Sequence, residues 1–208
     1  TINLARQAAA AGVRRFVFVS SIKVNGEHTE PGKPFTADDP PDPQDPYGLS
    51  KAEAEAALMA LGRETGMEMT VIRPPLVYGP GVKGNFRSLT TWAESGLPSI
   101  FEAVKNKRSF VHVANLCDLL ITVLDHANAA HQVFMVRDDR DFSTHELFMA
   151  LAAKSGRRPL SLPIPPRLLR LVAAISRRQD SFERLTQSLQ VDARGTTQGL
   201  NWKPSEML

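Results

Sequence analysis

Tyr47 and Lys51, in the run Pro46-Tyr47-Gly48-Leu49-Ser50-Lys51, have the types and the spacing to do chemistry. On a helix, residues four apart share one face, so the phenol and the ammonium are neighbours. A cation beside a phenol stabilises the phenolate. Such a tyrosine trades protons nearer neutrality than an isolated one, which ionises near ~10. That is general acid/base behaviour. Alone, the pair is also what an ordinary helix surface offers. Its weight comes from upstream, where Phe16-Val17-Phe18-Val19 runs into Ser20-Ser21-Ile22-Lys23-Val24-Asn25-Gly26. This reads as a buried strand ending in two hydroxyls, followed by a loop.

The elements that must position these groups follow a pattern. Residues 2–11 read as helix, stopped by Gly12, and residues 15–20 as strand. Segment 25–46 carries five prolines between Pro31 and Pro43, then Pro46, with four aspartates among them. It reads as a long loop, of the kind that is often functional. Helix resumes at about Tyr47 and runs to about Glu64, with Gly66 as its stop. Met69-Thr70-Val71-Ile72 is a second buried strand, ended by Arg73-Pro74-Pro75. Alternating elements of this type build a parallel sheet with helices on its faces. Ligands of such sheets sit beyond the carboxyl ends of the strands.

After Tyr78-Gly79-Pro80-Gly81 the texture changes. Residues 85–95 read as helix, 109–113 as strand, 115–126 as helix and 132–136 as strand. Ser143 with Glu146 spells a capping box that opens another helix. The expected organisation is α/β: residues 1–81 as part of a doubly wound, Rossmann-type sheet, and residues 82–208 as a smaller mixed α/β lobe that binds substrate.

Composition bounds the rest. Hydrophobic residues make up 42% of the chain, and 25 basic against 22 acidic residues give a net charge of +3. No polyelectrolyte partner is implied. The single cysteine, Cys117, reads as a packed structural thiol and fits a reducing cytoplasm. There is neither an apolar run long enough to span a membrane nor a signal peptide. His112, in Phe-Val-His-Val, reads as a half-buried structural histidine. Between Lys154 and Arg178 lie seven basic residues and no acidic one. Leu168, Leu169, Leu171, Val172 and Ile175 make an apolar helix face there, with the arginines as its solvated side. Stable membrane insertion and nucleic-acid binding are not expected.

Four stretches together resemble the extended short-chain dehydrogenase/reductases, in particular their NAD-dependent nucleotide-sugar epimerase/dehydratase group. They are Arg15-Phe16-Val17-Phe18-Val19-Ser20-Ser21, the Tyr47–Lys51 run, Arg73-Pro74-Pro75-Leu76-Val77-Tyr78-Gly79-Pro80-Gly81, and Lys107-Arg108-Ser109-Phe110-Val111-His112-Val113. The resemblance implies roles. Tyr47 would be the general acid/base, Lys51 would favour its phenolate and hold the nicotinamide ribose, and Ser21 would bond the reacting oxygen. Ser20 would face the cofactor, and Pro74 and Leu76 would line the nicotinamide pocket. Asn85 and Arg108 would meet the substrate's diphosphate. The implied cofactor is NAD, with NADP possible, and the implied partners are a nucleotide-sugar substrate and a second copy of the chain. That homodimer would form through the helix bearing Tyr47 and the helix before residue 12.

Departures from the pattern narrow the chemistry. In the dehydratase branch an Asp-Glu pair follows the hydroxyl residue; here Ile22 and Lys23 stand there, which argues against dehydration. The resemblance then implies a UDP-sugar 4-epimerase, or a 4-keto-sugar-nucleotide reductase of surface polysaccharide (lipopolysaccharide) synthesis. A non-catalytic, dinucleotide-sensing relative is a further alternative. No Gly-x-x-Gly-x-x-Gly occurs in the 208 residues. The chain opens at Thr1 directly on a helical pattern, and about a hundred preceding family residues are expected to be missing. The chain alone is therefore expected to be inactive.

Overall fold

The structure is a computed structural model that describes residues 1–30, 32–81, 85–175 and 179–205. Its main sheet is parallel, in the order β1-β2-β5, from β1 (Arg15–Val19), β2 (Glu68–Arg73) and β5 (Gln132–Met135). Register pairs Phe16 with Met69 and Ile72 with Phe134. Alternation along the strands sends neighbouring side chains to opposite faces. One face carries Phe16, Phe18 and Met69 against Ala5 of α1 (Ile2–Ala10) and Leu58 and Leu61 of α2 (Pro46–Thr65). The other carries Val17, Ile72 and Phe134 against Leu116, Leu119 and Val123 of α4 (Val113–Asp125). Helices on both faces make it doubly wound, as expected. β1 was expected to be buried but is half-buried, because among the described residues only β2 pairs with it.

α2 forms where its sequence supports it at every point. Asp45 caps the amino end, Pro46 occupies the first turn, where its missing N–H costs nothing, and a run of alanines fills the middle. Gly66 closes it in the left-handed conformation at φ 75°. Gly48 has a different job. A Cβ there would lie 2.6 Å from the Lys23 carbonyl oxygen, so only glycine lets this helix start so close to the turn after β1.

A second, two-stranded parallel sheet pairs β3 (Leu76–Tyr78) with β4 (Phe110–His112). It packs on α3 (Asn85–Glu94), α5 (Thr144–Lys154) and α6 (Pro166–Ile175) through Tyr78, Phe86, Leu89, Phe110, Phe148 and Leu169. Ser143 and Glu146 form the expected capping box on α5. Buried Asp138 ties the layers together, accepting from the Tyr78 hydroxyl at 2.6 Å and the Asn115 amide at 2.7 Å. α7 (Gln179–Thr186) and α8 (Arg194–Leu200) complete the chain.

Three further expectations change. The division at residue 81 does not describe the packing: α4 and β5 return to the first sheet, because their apolar faces complete its core. Cys117 is exposed, since α4 turns Leu116, Leu119 and Val123 to the sheet and leaves Cys117 on its outer side. On α6, Leu169 is buried while Leu168 and Leu171 are exposed, so the inner stripe is narrower than the leucine count implied. The long loop after β1 is fastened in place by the far end of the chain. The Thr29 N–H donates to the Ser188 carbonyl, the Phe35 N–H to the Gln190 carbonyl and the Asp192 N–H to the Phe35 carbonyl. Among the described residues no helix is long and apolar enough to cross a membrane. His112 is half-buried and caps α4, its Nδ1 accepting from the Ala114 N–H, as a structural histidine does.

Candidate active site

The carboxyl ends of β1 and β2 meet the amino end of α2. Main-chain bonds hold the two strand ends together: the Ser20 N–H donates to the Ile72 carbonyl at 2.7 Å, and the Ile22 N–H to the Pro74 carbonyl at 3.0 Å. Ser21 is extended and half-buried, and its Oγ accepts from the Lys23 N–H at 3.3 Å, opening a short 3-10 turn, Ile22–Val24. That contact leaves the hydroxyl proton available to a ligand.

Lys51 lies one turn along α2 from Tyr47. Its ammonium donates to the Val19 carbonyl at 3.0 Å and stands 4.7 Å from the Phe18 ring centre and 5.7 Å from the Tyr47 ring centre. The β1 end thus anchors the cation beside the phenol. The Tyr47 side chain is half-exposed, at 50%. An accessible phenol, a fixed ammonium and a strand-end hydroxyl are what proton transfer to or from a bound hydroxyl requires. The same donor set suits the ribose of a nicotinamide nucleotide, because Lys51 has donors beyond the one used on Val19.

Ser20 is placed differently from expectation. It is 3% exposed and its hydroxyl donates to Glu55, so it belongs to the protein interior and not to a cofactor surface. Glu55 also receives Arg73 as a fork, Nη2 to Oε2 at 2.6 Å and Nε to both oxygens at 3.1 Å. Arg73 Nη1 donates to Asn25 Oδ1 at 3.1 Å. Sequence reasoning passed over Glu55, although it continues the Tyr47–Lys51 spacing by one more turn, followed by an arginine at the next strand end.

Lys23, expected only as a missing acid, grips Glu27 at 2.6 Å and also Asp45, whose other oxygen caps α2 through the Gly48 N–H at 2.6 Å. Burial pulls the Lys23 ammonium down, but bonds and charge from Asp45 and Glu27 outweigh it and leave it above its ordinary 10.5. The hydrogen bond from Lys23, then that from Gly48, holds the Asp45 carboxyl below its ordinary value.

Pro74 is buried at the end of β2, and Leu76 is half-buried against the second core. Arg108 is half-buried, donates from Nη1 to the Gln187 carbonyl at 3.1 Å and makes no ion pair among the described residues. Burial pushes its guanidinium down to about 10, still far above neutrality. Asn85 opens α3, but its side chain lies outside the described residues. No cluster able to hold a metal ion occurs among the described residues.

Residues 1–136 match the family model described as the NAD dependent epimerase/dehydratase family. The chain belongs to that family. It is 47% identical over 209 residues to the UDP-glucose 4-epimerase of Vibrio cholerae, a match covering 100% of this chain and 64% of that protein. The chain thus spans less than two thirds of that relative. The fold is similar to a UDP-glucose 4-epimerase of Thermotoga maritima solved with UDP-glucose, at a TM-score of 0.74 and 22% identity over 98% of this chain and 62% of that one. It is also similar to RMD of Pseudomonas aeruginosa complexed with NADPH, at 0.77 and 21% identity over 99% and 67%. At these identities the structures establish the fold, a Rossmann-like sheet wound on both faces.

Proposed function

We propose that this chain carries the proton-relay half of an enzyme that oxidises and reduces C4 of a nucleotide-linked sugar, acting as a UDP-sugar 4-epimerase. The observation that carries the reading is the Lys51 ammonium, fixed on the Val19 carbonyl at 3.0 Å and standing 5.7 Å from the accessible Tyr47 ring. Tyr47 takes the proton of the C4 hydroxyl as phenolate and returns it as phenol. Lys51 stabilises the phenolate, and Ser21 donates to the C4 oxygen. NAD supplies the hydride acceptance and return that this chemistry needs. Lys51 and Tyr47 would hold its ribose, and Pro74 and Leu76 would border its nicotinamide. Arg108 offers the substrate diphosphate a charged fork that, among the described residues, is in no ion pair.

The same groups serve a 4-keto-sugar reductase of surface polysaccharide synthesis, with NADP as cofactor. The 47% likeness to a UDP-glucose 4-epimerase favours epimerisation. A dinucleotide sensor would have no use for the relay. The intact protein would work in the cytoplasm as a dimer through α1 and α2, whose Leu4 and Leu49 are 63% and 50% exposed. Light scattering at micromolar concentration tests the dimer.

Tyr47→Phe in the intact protein tests the function. UDP-glucose epimerisation should fall by about 100-fold or more while cofactor binding persists. Undiminished turnover would remove Tyr47 from the mechanism. Activity only on a 4-keto sugar nucleotide would move the assignment to the reductase.

A further inference from the structure

We propose that the buried Glu55–Arg73 pair is the positioning device of this site, setting where Tyr47, Lys51 and Ser21 stand relative to one another. The inference rests on the relay reading above and names the residues that make its geometry reproducible.

Glu55 sits on α2 one turn beyond Lys51 and two beyond Tyr47. It and Arg73 are 6% and 4% exposed. The Glu55 carboxylate takes the Arg73 fork from the end of β2 and the Ser20 hydroxyl from the end of β1. Arg73 passes the connection on to Asn25, which ends the turn after Ser21, and the Asn25 amide donates to the Thr36 carbonyl at 3.0 Å. Ser21 is thereby held on both sides: Ser20 before it is bound to Glu55, and Asn25 after it to Arg73. Lys51 meets the same strand end from its own side, on Val19, next to Ser20. A slide or rotation of α2 that moved Tyr47 and Lys51 against Ser21 would have to break the Glu55 bonds first.

Stability does not account for the pair. Removing two charges from water offsets most of their attraction, and apolar residues of similar size commonly do as well. What a buried ionic pair adds is direction. A guanidinium meets a carboxylate in a fixed planar geometry, which aliphatic packing does not impose. Among the described residues no buried side-chain polar atom lacks a partner, and a fully satisfied buried network is a rigid one. Rigidity matters here because a misplacement of about 1 Å can cost about 100-fold in rate.

Ser20→Ala in the intact protein is the test, since it removes one hydroxyl and leaves the ion pair whole. We expect kcat per folded molecule to fall about tenfold while KM stays within about twofold, a loss confined to turnover. Ser20→Thr, which keeps the hydroxyl, should restore most of it. Glu55→Gln, which weakens the fork, should lower kcat further with KM again little changed. Melting curves give the folded fraction of each variant. If kcat of folded Ser20→Ala equals the parent value, or threonine rescues no better than alanine, the pair is structural only and the proposal fails. Tyr47→Phe is measured alongside. Should it retain turnover, the relay reading fails instead, whatever the Ser20 variants show. Amide hydrogen exchange gives a readout without turnover. Ser20→Ala should speed exchange in both Ser21–Val24 and Tyr47–Lys51; acceleration in one segment alone would break the proposed coupling.

Discussion

Lys23 and Asp45 form an ion pair that fastens the turn after Ser21 to the cap of the helix carrying Tyr47. Both side chains are partly shielded, at 25% and 29% exposure. Where the dehydratase pattern has a carboxylate, this chain has a cation, and the cation has a structural task. Lys23→Met should lower stability by about 1 kcal/mol, the upper range for a partly exposed pair. Lys23→Glu should cost more, because it sets a third carboxylate beside Asp45 and Glu27. Urea unfolding of the three proteins checks the order. A Lys23→Glu protein as stable as Lys23→Met would show that Glu27 and Asp45 do not depend on the ammonium.

The same pair fixes a pH window. A carboxyl held below its ordinary value adds stability above its unfolded value and loses it as pH falls through the folded one. Lys23, held above 10.5, contributes fully below that and loses its share only as pH rises through its folded value. The melting-temperature gap between parent and Asp45→Asn should therefore stay level from about pH 5 to about pH 9, and close below about pH 4. A gap that changes steeply near neutrality would place another titrating group in the latch.

Gly48→Ala tests the close approach of α2 to Lys23. Helix propensity alone favours alanine by about 1 kcal/mol. Against this, the new Cβ would lie 2.6 Å from a backbone oxygen and 3.2 Å from Asp45 Oδ1, so the helix start must shift. Overpacking of this type costs about 1–3 kcal/mol, and here sterics should win. Denaturant unfolding should show net destabilisation, and a stabilised Gly48→Ala would mean that the helix start has slack.

What was legible in the sequence was local. β1, β2, α2 and the capping box follow from periodicity, from Gly66 and from Ser143 with Glu146, all within a few residues of the elements they define. Tyr47 and Lys51 share a helix, so their spacing alone placed them together. Ser20 was misread because its partner, Glu55, lies 35 positions away on another element. A strand-end hydroxyl shows no direction until the helix above it is placed. Lys23 was read as an absence for the same reason, since Asp45 is 22 positions on. The anchoring of the loop by residues 188–192 joins segments about 155 positions apart and leaves no local trace. β3 went unseen because three residues after Pro74-Pro75 carry too little pattern, and pairing with β4 is what makes them a strand.

Titrating the 208-residue chain with NAD by calorimetry should show no micromolar binding. Family members cradle the pyrophosphate in a glycine-rich turn at a helix start, and the sequence holds no Gly-x-x-Gly-x-x-Gly. In the proposed reading Lys51 and Tyr47 would grip only the ribose end. The start of α2, the helix that carries them, is already engaged, its Gly48 N–H taken by Asp45. Micromolar affinity would mean that the relay end of the site binds the dinucleotide unaided.

The proposed diphosphate role of Arg108 would separate binding from chemistry. Its guanidinium is half-buried, bonded to the Gln187 carbonyl and in no ion pair among the described residues. Burial lowers it only to about 10, so it keeps its charge at neutral pH. A diphosphate far from C4 is held equally in ground and transition states, which makes such a contact one of uniform binding. Arg108→Ala in the intact protein should therefore raise KM for UDP-glucose by about tenfold or more and leave kcat within about threefold. Arg108→Lys should recover part of the loss, keeping the charge without the fork. A fall in kcat at unchanged KM would instead place Arg108 with the groups that set the relay geometry.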